Sequence, residues 1–279
     1  MTGALSTRSL LDEGVVRIRA DFPKVFLPLA LPMAFLRALL ILVQQPRTIA
    51  EWSAFVVTFL AVLAAMVLTS TVMQVLALDT VYGRPRTVRS AFAWMLKPTV
   101  WLTLVLQWFI LIVGTLLCIL PGLYGMLVLA LVVPVMLRDE VFGASALRTS
   151  VDMMSFNPAG RFREDPRVKM TAVVAATWLL SATAGLLLQL PMIVASMWVA
   201  FRSVAEGGGS VDPVALTERL RWIQLPSAFF GSFVETAMGL YFVSCVALLF
   251  ADVRRRQSGD DIASELDALV REPDVAPTP

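Results

Sequence analysis

The sequence predicts an all-α membrane protein: a polytopic bundle of six transmembrane helices, with cytoplasmic amphipathic helices and an internal helix-hairpin duplication. Of its 279 residues, 58% are hydrophobic and only 16% are charged, whereas soluble domains are nearer half apolar and a quarter charged. Several apolar runs reach the ~20 residues that span the hydrocarbon of a bilayer. Together with a repeated stretch between these runs, composition and run length predict the fold class.

The repeated stretch occupies residues 79–98 and 139–158, which align without a gap. Each copy follows one apolar run, turns at a glycine, continues as a short amphipathic helix and leads through a proline into the next run. Because glycine readily adopts the left-handed conformation that a sharp turn needs, this pattern predicts duplicated hairpins. The identical pairs are Asp79/Asp139, Val81/Val141, Gly83/Gly143, Ser90/Ser150 and Pro98/Pro158.

The first elements of the chain are an amphipathic helix and two spans. Residues 11–22 carry an apolar stripe (Leu11, Val15, Ile18, Phe22) at helical spacing. We expect this helix to lie on the membrane surface with Arg17 and Arg19 toward the headgroups. Span one is predicted over 24–43, beginning after Pro23, and span two over 52–78, with a short loop at 44–48 between them.

The middle of the chain contains spans three and four and both repeat copies. Span three is predicted over 99–120 and ends at a tight turn, Pro121-Gly122. Span four, 122–138, is short for a membrane crossing. The short helices of the repeat carry apolar stripes, Val88, Phe92 and Met95 in the first copy and Leu147, Val151 and Met154 in the second.

The last elements begin with span five near residue 170. The apolar run then continues to about 201, too long for one ordinary span, so Pro191 is predicted to end span five. Residues 192–204 would then form an interfacial or re-entrant helix, residues 206–210 a flexible link and residues 213–223 a short outer helix. Span six is predicted over 226–251. The domain division is a membrane domain at 1–257, followed by a cytoplasmic amphipathic helix and disordered tail at 258–279.

The orientation follows from the distribution of lysine and arginine. The segments 1–24, 80–97, 138–169 and 252–279 hold 18 of these residues, and the opposite segments, 44–51 and 201–225, hold four. Because cytoplasmic loops are enriched in positive residues, both termini are predicted to be cytoplasmic. The expected location is a bacterial plasma (inner) membrane.

Two ionisable residues fall deep within predicted spans. Arg37 lies about 7 residues from the outer end of span one, and Glu235 about 9 residues from that of span six, or roughly 10 and 14 Å at the helical rise. An unpaired charge at that depth costs at least ~2.5–3.5 kcal/mol, which favours an ion pair. A structural salt bridge, a substrate or proton site, and outward snorkelling of Arg37 alone remain alternatives. Gln74, Gln107 and Gln189 are predicted to bridge helices.

Three aspartates, Asp79, Asp139 and Asp252, each close a span on the predicted cytoplasmic side. A carboxylate there could cap the following short helix or pair with an arginine such as Arg138 or Arg254. The three could also gather cations or bind a partner. Together with Gly83, Gly143, Ser90 and Ser150, these aspartates form the predicted cytoplasmic turn motif.

The composition also restricts the chemistry. The chain has no histidine, the commonest general base and zinc ligand. Its two cysteines, Cys118 and Cys245, lie in apolar runs and are expected to be packing residues. We expect no enzyme activity, cofactor, metal site or nucleic-acid binding.

Two motifs carry a family resemblance. The first is Pro121-Gly122, Pro134-Val135, Glu140, Gly143, Ala146-Leu147-Arg148 and Ser150; the second is residues 250–261, where Ala251 replaces an aromatic residue and Ser258 a glutamate. These motifs resemble the six-span glycerophosphodiester phosphodiesterase membrane domain and the related YciC-like families, over spans three to six and weakly over the first two. Catalysis in fused relatives belongs to a separate soluble domain, so the resemblance implies no phosphodiesterase activity here.

Two functions remain open from the sequence. The first is a non-enzymatic membrane scaffold or accessory subunit of a bacterial membrane complex, which docks a cytoplasmic or membrane protein, or a second copy of itself, through its cytoplasmic face. The alternative is a transporter or lipid-handling protein with a cavity near Arg37 and Glu235. Transporters commonly contain repeats, but the repeats here share one orientation, and Pro191 is the only candidate for a broken helix.

Overall fold

The computed structural model describes residues 5–21, 27–42, 48–84, 86–156, 161–205 and 213–259. Within these ranges the regular structure is entirely helical, in agreement with the predicted all-α class. The α-helices are α1 (Thr7–Asp21), α2 (Leu27–Leu42), α3 (Ile49–Val81), α4 (Val88–Met95), α5 (Pro98–Leu117), α6 (Ile119–Val128), α7 (Val132–Arg138), α8 (Ala144–Ser155), α9 (Pro166–Ala205) and α10 (Pro213–Ser258). A 3-10 turn at Phe162–Glu164 precedes α9.

Five stretches in the described part of the chain are long and apolar enough to cross a membrane. They are Ile49–Val81, Pro98–Leu117, Ile119–Arg138, Pro166–Val199 and Gln224–Ser258. The shorter apolar helix α2 has 16 residues. Residues 22–26 and 43–47, which hold the predicted start of span one and most of the loop after it, lie outside the described residues. By length and composition, the chain is a membrane-embedded helical protein.

The chain forms two compact units, and the first combines Met1–Arg17, Gln74–Val174 and Phe242–Pro279. Its core is rich in methionine, with Met95, Met136, Met153, Met154 and Met170 at most 1% exposed. Flexible, unbranched methionine side chains fill the irregular spaces between short helices. The apolar face of α8 packs against α5, α6 and α7, so this short helix is built into the protein.

The second unit combines Ile18–Met73 and Ala175–Tyr241. One face of α2, with Leu29, Ala30, Met33 and Ala34, is buried. Most large apolar side chains of α9 in this unit are exposed, as expected for a helix whose outer surface contacts lipid.

A tight hairpin joins α5 to α6, and it turns three residues earlier than predicted. Cys118 has extended dihedral angles (φ −168°, ψ 143°), and α6 begins at Ile119, so Pro121 lies in its first turn. A proline is tolerated there because the first backbone N–H groups of a helix have no intrahelical partner. The predicted break at Pro121 is therefore a break at Cys118.

The predicted fourth span is discontinuous, because residues 129–131 form a turn between α6 and α7. Side chains from two other helices satisfy the carbonyl groups at this break. The Ser150 hydroxyl donates to the Val128 carbonyl at 2.7 Å, and the Gln107 amide donates to the Leu129 carbonyl at 3.2 Å. Polar backbone within a membrane needs such partners, since the hydrocarbon offers no water.

The two longest helices continue through prolines that were predicted to separate elements. Helix α9 runs unbroken through Pro191 to Ala205, and α10 begins at Pro213 and runs through Pro226. The predicted break at Pro191, the separate helix at 192–204 and the separate outer helix at 213–223 are therefore wrong. One proline removes a single helical hydrogen bond, and membrane helices tolerate this loss. The predicted link at 206–210 lies outside the described residues.

Helix α1 buries a different face from the predicted stripe. Leu10 is 0% exposed and Gly14 is also buried, whereas Val15 of the predicted stripe is 56% exposed. The Leu10 carbonyl accepts a weak hydrogen bond from the Cys245 thiol of α10 at 3.8 Å. The Leu10 face therefore packs on protein, and the Val15 face stays outside. Residues 260–279, which include the predicted C-terminal amphipathic helix, lie outside the described residues.

The α5–α6 hairpin yields a stability prediction at Gly122. A Cβ atom there would lie 2.3 Å from the Thr115 hydroxyl and 2.9 Å from the Thr115 Cα, so the two helices approach too closely for a side chain. We expect Gly122→Ala to destabilise the protein by about 1–3 kcal/mol, measured by reversible unfolding in detergent. Gly185→Ala is the matched control because a Cβ there meets no atom within 4 Å. Equal stability of both variants would contradict this close packing.

Candidate functional site

Each aspartate of the predicted turn motif forms an ion pair within the first unit. The Asp79 carboxylate lies 2.9 Å from the Arg86 Nε, and the Asp139 carboxylate lies 2.9 Å from an Arg254 terminal nitrogen. Asp252 pairs with Lys169 and Arg256. Of the two arginines suggested by the sequence, Arg254 is therefore used.

The aspartates do not cap the short helices of the repeat. The N-cap of α4 is Thr87, whose hydroxyl accepts a hydrogen bond from the Ser90 backbone N–H at 3.3 Å. The N-cap of α8 is Gly143, which has no side chain to accept one. The carboxylates form ion pairs, and the start of α4 is capped by Thr87 instead.

Asp252 is the centre of a buried charge cluster, which we define as Asp252, Lys169, Arg256 and Glu164. One carboxylate oxygen of Asp252 accepts hydrogen bonds from the Lys169 ammonium and the Arg256 guanidinium, both at 2.9 Å. The other oxygen accepts from the Leu5 backbone N–H at 3.1 Å. The side chains of Lys169 and Asp252 are 1% and 3% exposed, so these charges are almost fully removed from solvent.

Arg256 links the cluster to the loop before α9. Its guanidinium donates to the Glu164 carbonyl at 3.4 Å and lies 3.9 Å from the Glu164 carboxylate. The cluster thus contains two cations and two carboxylates, which balance in formal charge. Removing one partner from such a buried arrangement leaves an uncompensated charge, which is far more costly than removing an exposed pair.

The two glycines of the motif adopt the left-handed conformation. Gly83 and Gly143 both have φ near +67°, a region where other residues are strained. The Gly143 backbone N–H donates to the Thr103 hydroxyl of α5 at 2.7 Å.

The two serines of the motif differ in environment. Ser90 is exposed and donates to the Thr87 carbonyl, whereas Ser150 is buried and bonds the Val128 carbonyl. The two serines therefore align in the repeat but form different hydrogen bonds.

Tyr82, directly before Gly83 in the first copy of the motif, contacts Arg138, directly before the second copy. The guanidinium carbon of Arg138 lies 4.8 Å from the centre of the Tyr82 ring, within the range of a cation–π interaction. Burial raises the pKa of the Tyr82 phenol, and the neighbouring Arg138 and Arg254 partly oppose this effect. The phenol therefore stays neutral at physiological pH and serves as a packing and cation-binding surface.

In the second unit, the Arg37 guanidinium forms an ion pair with the Glu235 carboxylate. Arg37 also donates to the Met66 sulfur at 3.8 Å, which brings α2, α3 and α10 together. The Glu235 side chain is 53% exposed and that of Arg37 is 22% exposed. The pair is thus open on the Glu235 side.

Aromatic rings also join α2 to α10 in the second unit. Phe35, two residues before Arg37, packs edge-on against Phe229, with ring centres 5.8 Å apart. Phe229 also contacts Phe230 and Phe233 of its own helix. The Phe35–Phe229 contact therefore links α2 to α10, the two helices that the ion pair also joins.

Pro191 lines an open apolar groove along α9. The groove has a volume of about 620 Å³ and is lined by Leu187, Leu190, Pro191, Val194, Ala195, Trp198 and Val199. Its lining contains no ionisable side chain, so the groove lacks the polar groups that orient a small-molecule ligand.

The predicted glutamine bridges have mixed outcomes. Gln107 joins α5 to the break at Leu129. The Gln74 side-chain carbonyl is buried and has no hydrogen-bond partner within the part of the chain that the structure describes, and Gln189 is exposed.

Sequence reasoning missed the residues that complete the buried cluster and the helix break. Lys169 and Arg256 entered the charge analysis only within the lysine and arginine counts, and Glu164 did not enter it. The hydrogen bonds of Thr103 with Gly143 and of Ser150 with the break at Val128 were not predicted. One signal was available for Lys169, which directly precedes the apolar run of span five. A lysine at that position either faces the headgroups or needs a buried carboxylate.

The ion pairs and hydrogen bonds of the site residues can hold helices together, and the charged groups are paired with one another. Across the described ranges, no group of three or more His, Cys, Asp or Glu residues could hold a metal ion. Comparison with protein-family models, curated proteins and solved structures finds no match.

The Arg37–Glu235 pair gives a charge-exchange prediction. Arg37→Glu and Glu235→Arg each place like charges side by side in an apolar setting, so we expect each to lower the free energy of unfolding by about 3 kcal/mol. The double exchange recreates an opposite pair and should recover most of that loss, as measured by thermal unfolding in detergent. A double variant no more stable than the weaker single variant would contradict a direct pairing.

Proposed function

We propose that this chain is a non-enzymatic scaffold or accessory subunit of a bacterial membrane complex, which docks a protein partner through its cytoplasmic face. The observation that carries the proposal is the buried charge cluster around Asp252. It ties Leu5, two residues before α1, to the start of α9 and the end of α10. Because these buried charges pair with one another and join three segments, they favour a rigid platform over a site that exchanges ions or substrate.

The docking face of the proposed platform is the outer face of α8. Its apolar side, with Leu147, Met153 and Met154, is buried in the first unit, while Arg148 and Asp152 are exposed. A helix whose apolar face is already satisfied offers only polar side chains to a partner. We therefore propose a soluble or peripheral partner with complementary charges.

The proposed topology has six spans with both termini in the cytoplasm of a bacterial cell. Five candidate spans and the apolar helix α2 support it, as does the excess of lysine and arginine in alternate segments. The proposed duplication has support from Gly83 and Gly143, which share a φ of +67° and each precede a short helix. We also propose kinship with the glycerophosphodiester phosphodiesterase membrane domain and YciC-like families, on the motifs given above.

A second function is favoured by one observation, the half-exposed Glu235 side chain beside Arg37. In this alternative the chain is a transporter or lipid-handling protein, and the open side of the ion pair is where a polar substrate or headgroup approaches. Ionisable residues within membrane spans commonly mark such paths. The pairing of Glu235 with Arg37 supports the structural role more directly, because a paired carboxylate is less available to a substrate.

The scaffold proposal is tested by affinity purification of the tagged full-length chain from native membranes. We expect one protein partner at a fixed stoichiometry, or a defined oligomer of the chain itself. The charge-reversed variant Arg148→Glu with Asp152→Lys should release a soluble partner, because it inverts the exposed polar face of α8 without touching the buried face. The matched control, Glu51→Lys, alters an exposed charge at the first turn of α3 and should leave the complex intact. A monodisperse monomer with no stoichiometric partner would contradict the proposal.

A further inference from the structure

Large apolar side chains that are exposed lie almost entirely on the apolar helices, where lipid covers them. In the described part of the chain, four exceptions lie outside α2, α3, α5, α6, α7, α9 and α10. They are Val15 (56% exposed), Val16 (66%), Leu96 (67%) and Phe162 (77%). All four belong to the first unit.

Each of these exceptions has a basic residue within two positions. Arg17 follows Val15 and Val16, Lys97 follows Leu96, and Arg161 and Arg163 flank Phe162. Lys97, Arg161 and Arg163 are exposed, and Arg161 pairs with Glu164 at 3.3 Å. Arg17 is half-buried and pairs with Glu13 at 3.3 Å. An apolar side chain next to a cation is typical of a membrane-interface anchor. In such an anchor the apolar side chain enters the acyl boundary and the cation contacts the headgroups.

Two of the exceptions lie directly before an apolar helix. Leu96 and Lys97 immediately precede α5, which begins at Pro98. Phe162 lies four residues before α9, which begins at Pro166. Residues that close to the end of a membrane-crossing helix lie at the level of the headgroups.

The exposed side chains stand on segments that are held to the protein by their other face. Leu10 and Gly14 of α1 are buried while Val15 and Val16 are exposed, and Met95 is buried while Leu96 is exposed. The turn that carries Phe162 is fixed through Glu164, which accepts from Arg256 of the buried charge cluster. These residues are thus presented outward by a fixed backbone.

We infer that Val15, Val16, Leu96 and Phe162, with Lys97, Arg161 and Arg163, form a belt around the first unit that binds the headgroup layer of an anionic bilayer leaflet. The occupant is anionic phospholipid. The cations of the belt attract the negative charge of the lipid headgroups. The apolar side chains of the belt reach the acyl boundary, which a soluble protein partner does not offer. Leu96 and Phe162 lie beside the starts of α5 and α9, at the level where lipid headgroups are the expected neighbours. This inference goes beyond docking of a partner and stands without it.

The depth of Phe162 is tested with a nitroxide label. Phe162→Cys is labelled in a Cys118→Ser, Cys245→Ala background, and the full-length protein is reconstituted into vesicles of phosphatidylcholine and phosphatidylglycerol. We expect the label to collide more with oxygen, which concentrates in the acyl region, than with a water-soluble nickel chelate. The matched label at Asp152, on the exposed face of α8, should show the reverse. Greater access of the chelate at position 162 would overturn the inference and assign Phe162 to a water-facing, protein-docking surface.

The preference for anionic lipid is tested by charge removal. Full-length protein is released from nanodiscs of equal phosphatidylglycerol and phosphatidylcholine, and the retained lipids are counted by native mass spectrometry. Lys97→Gln with Arg163→Gln should lower the preference for phosphatidylglycerol by about fivefold for each cation removed. The control, Arg89→Gln with Arg148→Gln, removes two exposed cations from α4 and α8 that have no exposed large apolar neighbour. An equal loss in both double variants would overturn the inference, because it would reduce the belt to a general effect of net charge.

Discussion

The neutralisation of Asp252 is the constraint on which the first unit depends. A carboxylate buried this deeply is stable only if cations and hydrogen-bond donors surround it. Two of its partners, Leu5 and Lys169, come from distant parts of the sequence, and the third, Arg256, lies one turn along the same helix. Folding of the N-terminal segment, of the start of α9 and of the end of α10 is thereby made interdependent. The same cluster reaches Glu164 and so fixes the turn that presents Phe162.

Polar side chains form hydrogen bonds to backbone groups of other elements at two places where an apolar helix ends or breaks. Ser150 and Gln107 complete the carbonyls at the break between α6 and α7, and Thr103 accepts from Gly143 where the chain turns into α8. In the second unit, Arg37 and Glu235 form an ion pair between the interiors of α2 and α10. Because hydrocarbon cannot replace any of these partners, the polar side chains determine which helices meet, while apolar packing alone would permit several arrangements.

The helical class and the existence of the apolar helices could be predicted from the sequence, because run length and composition respond to the bilayer alone. Arg37 and Glu235, matched in the sequence by their depth, form an ion pair in the structure, since an unpaired charge there is costly. Helix boundaries were less predictable: Pro191 and Pro226 leave their helices unbroken, and the chain turns at Cys118 instead of Pro121. The Lys169–Asp252 pair joins residues 83 positions apart, and periodicity contains no information about such a contact. The buried face of α1 was missed for the same reason, because Leu10 meets Cys245 from a distant helix.

The central claim, that the buried charge cluster fastens the first unit, is tested most directly by a double-mutant cycle on Lys169→Met and Asp252→Leu. The free energy of unfolding is measured for the full-length protein in detergent, for both single variants and for the pair. The account predicts that each single variant loses about 3–5 kcal/mol, because it strands a buried charge, and that the double variant loses clearly less than their sum. Losses that add to within about 0.5 kcal/mol would show that the two side chains act independently, and would contradict the claim.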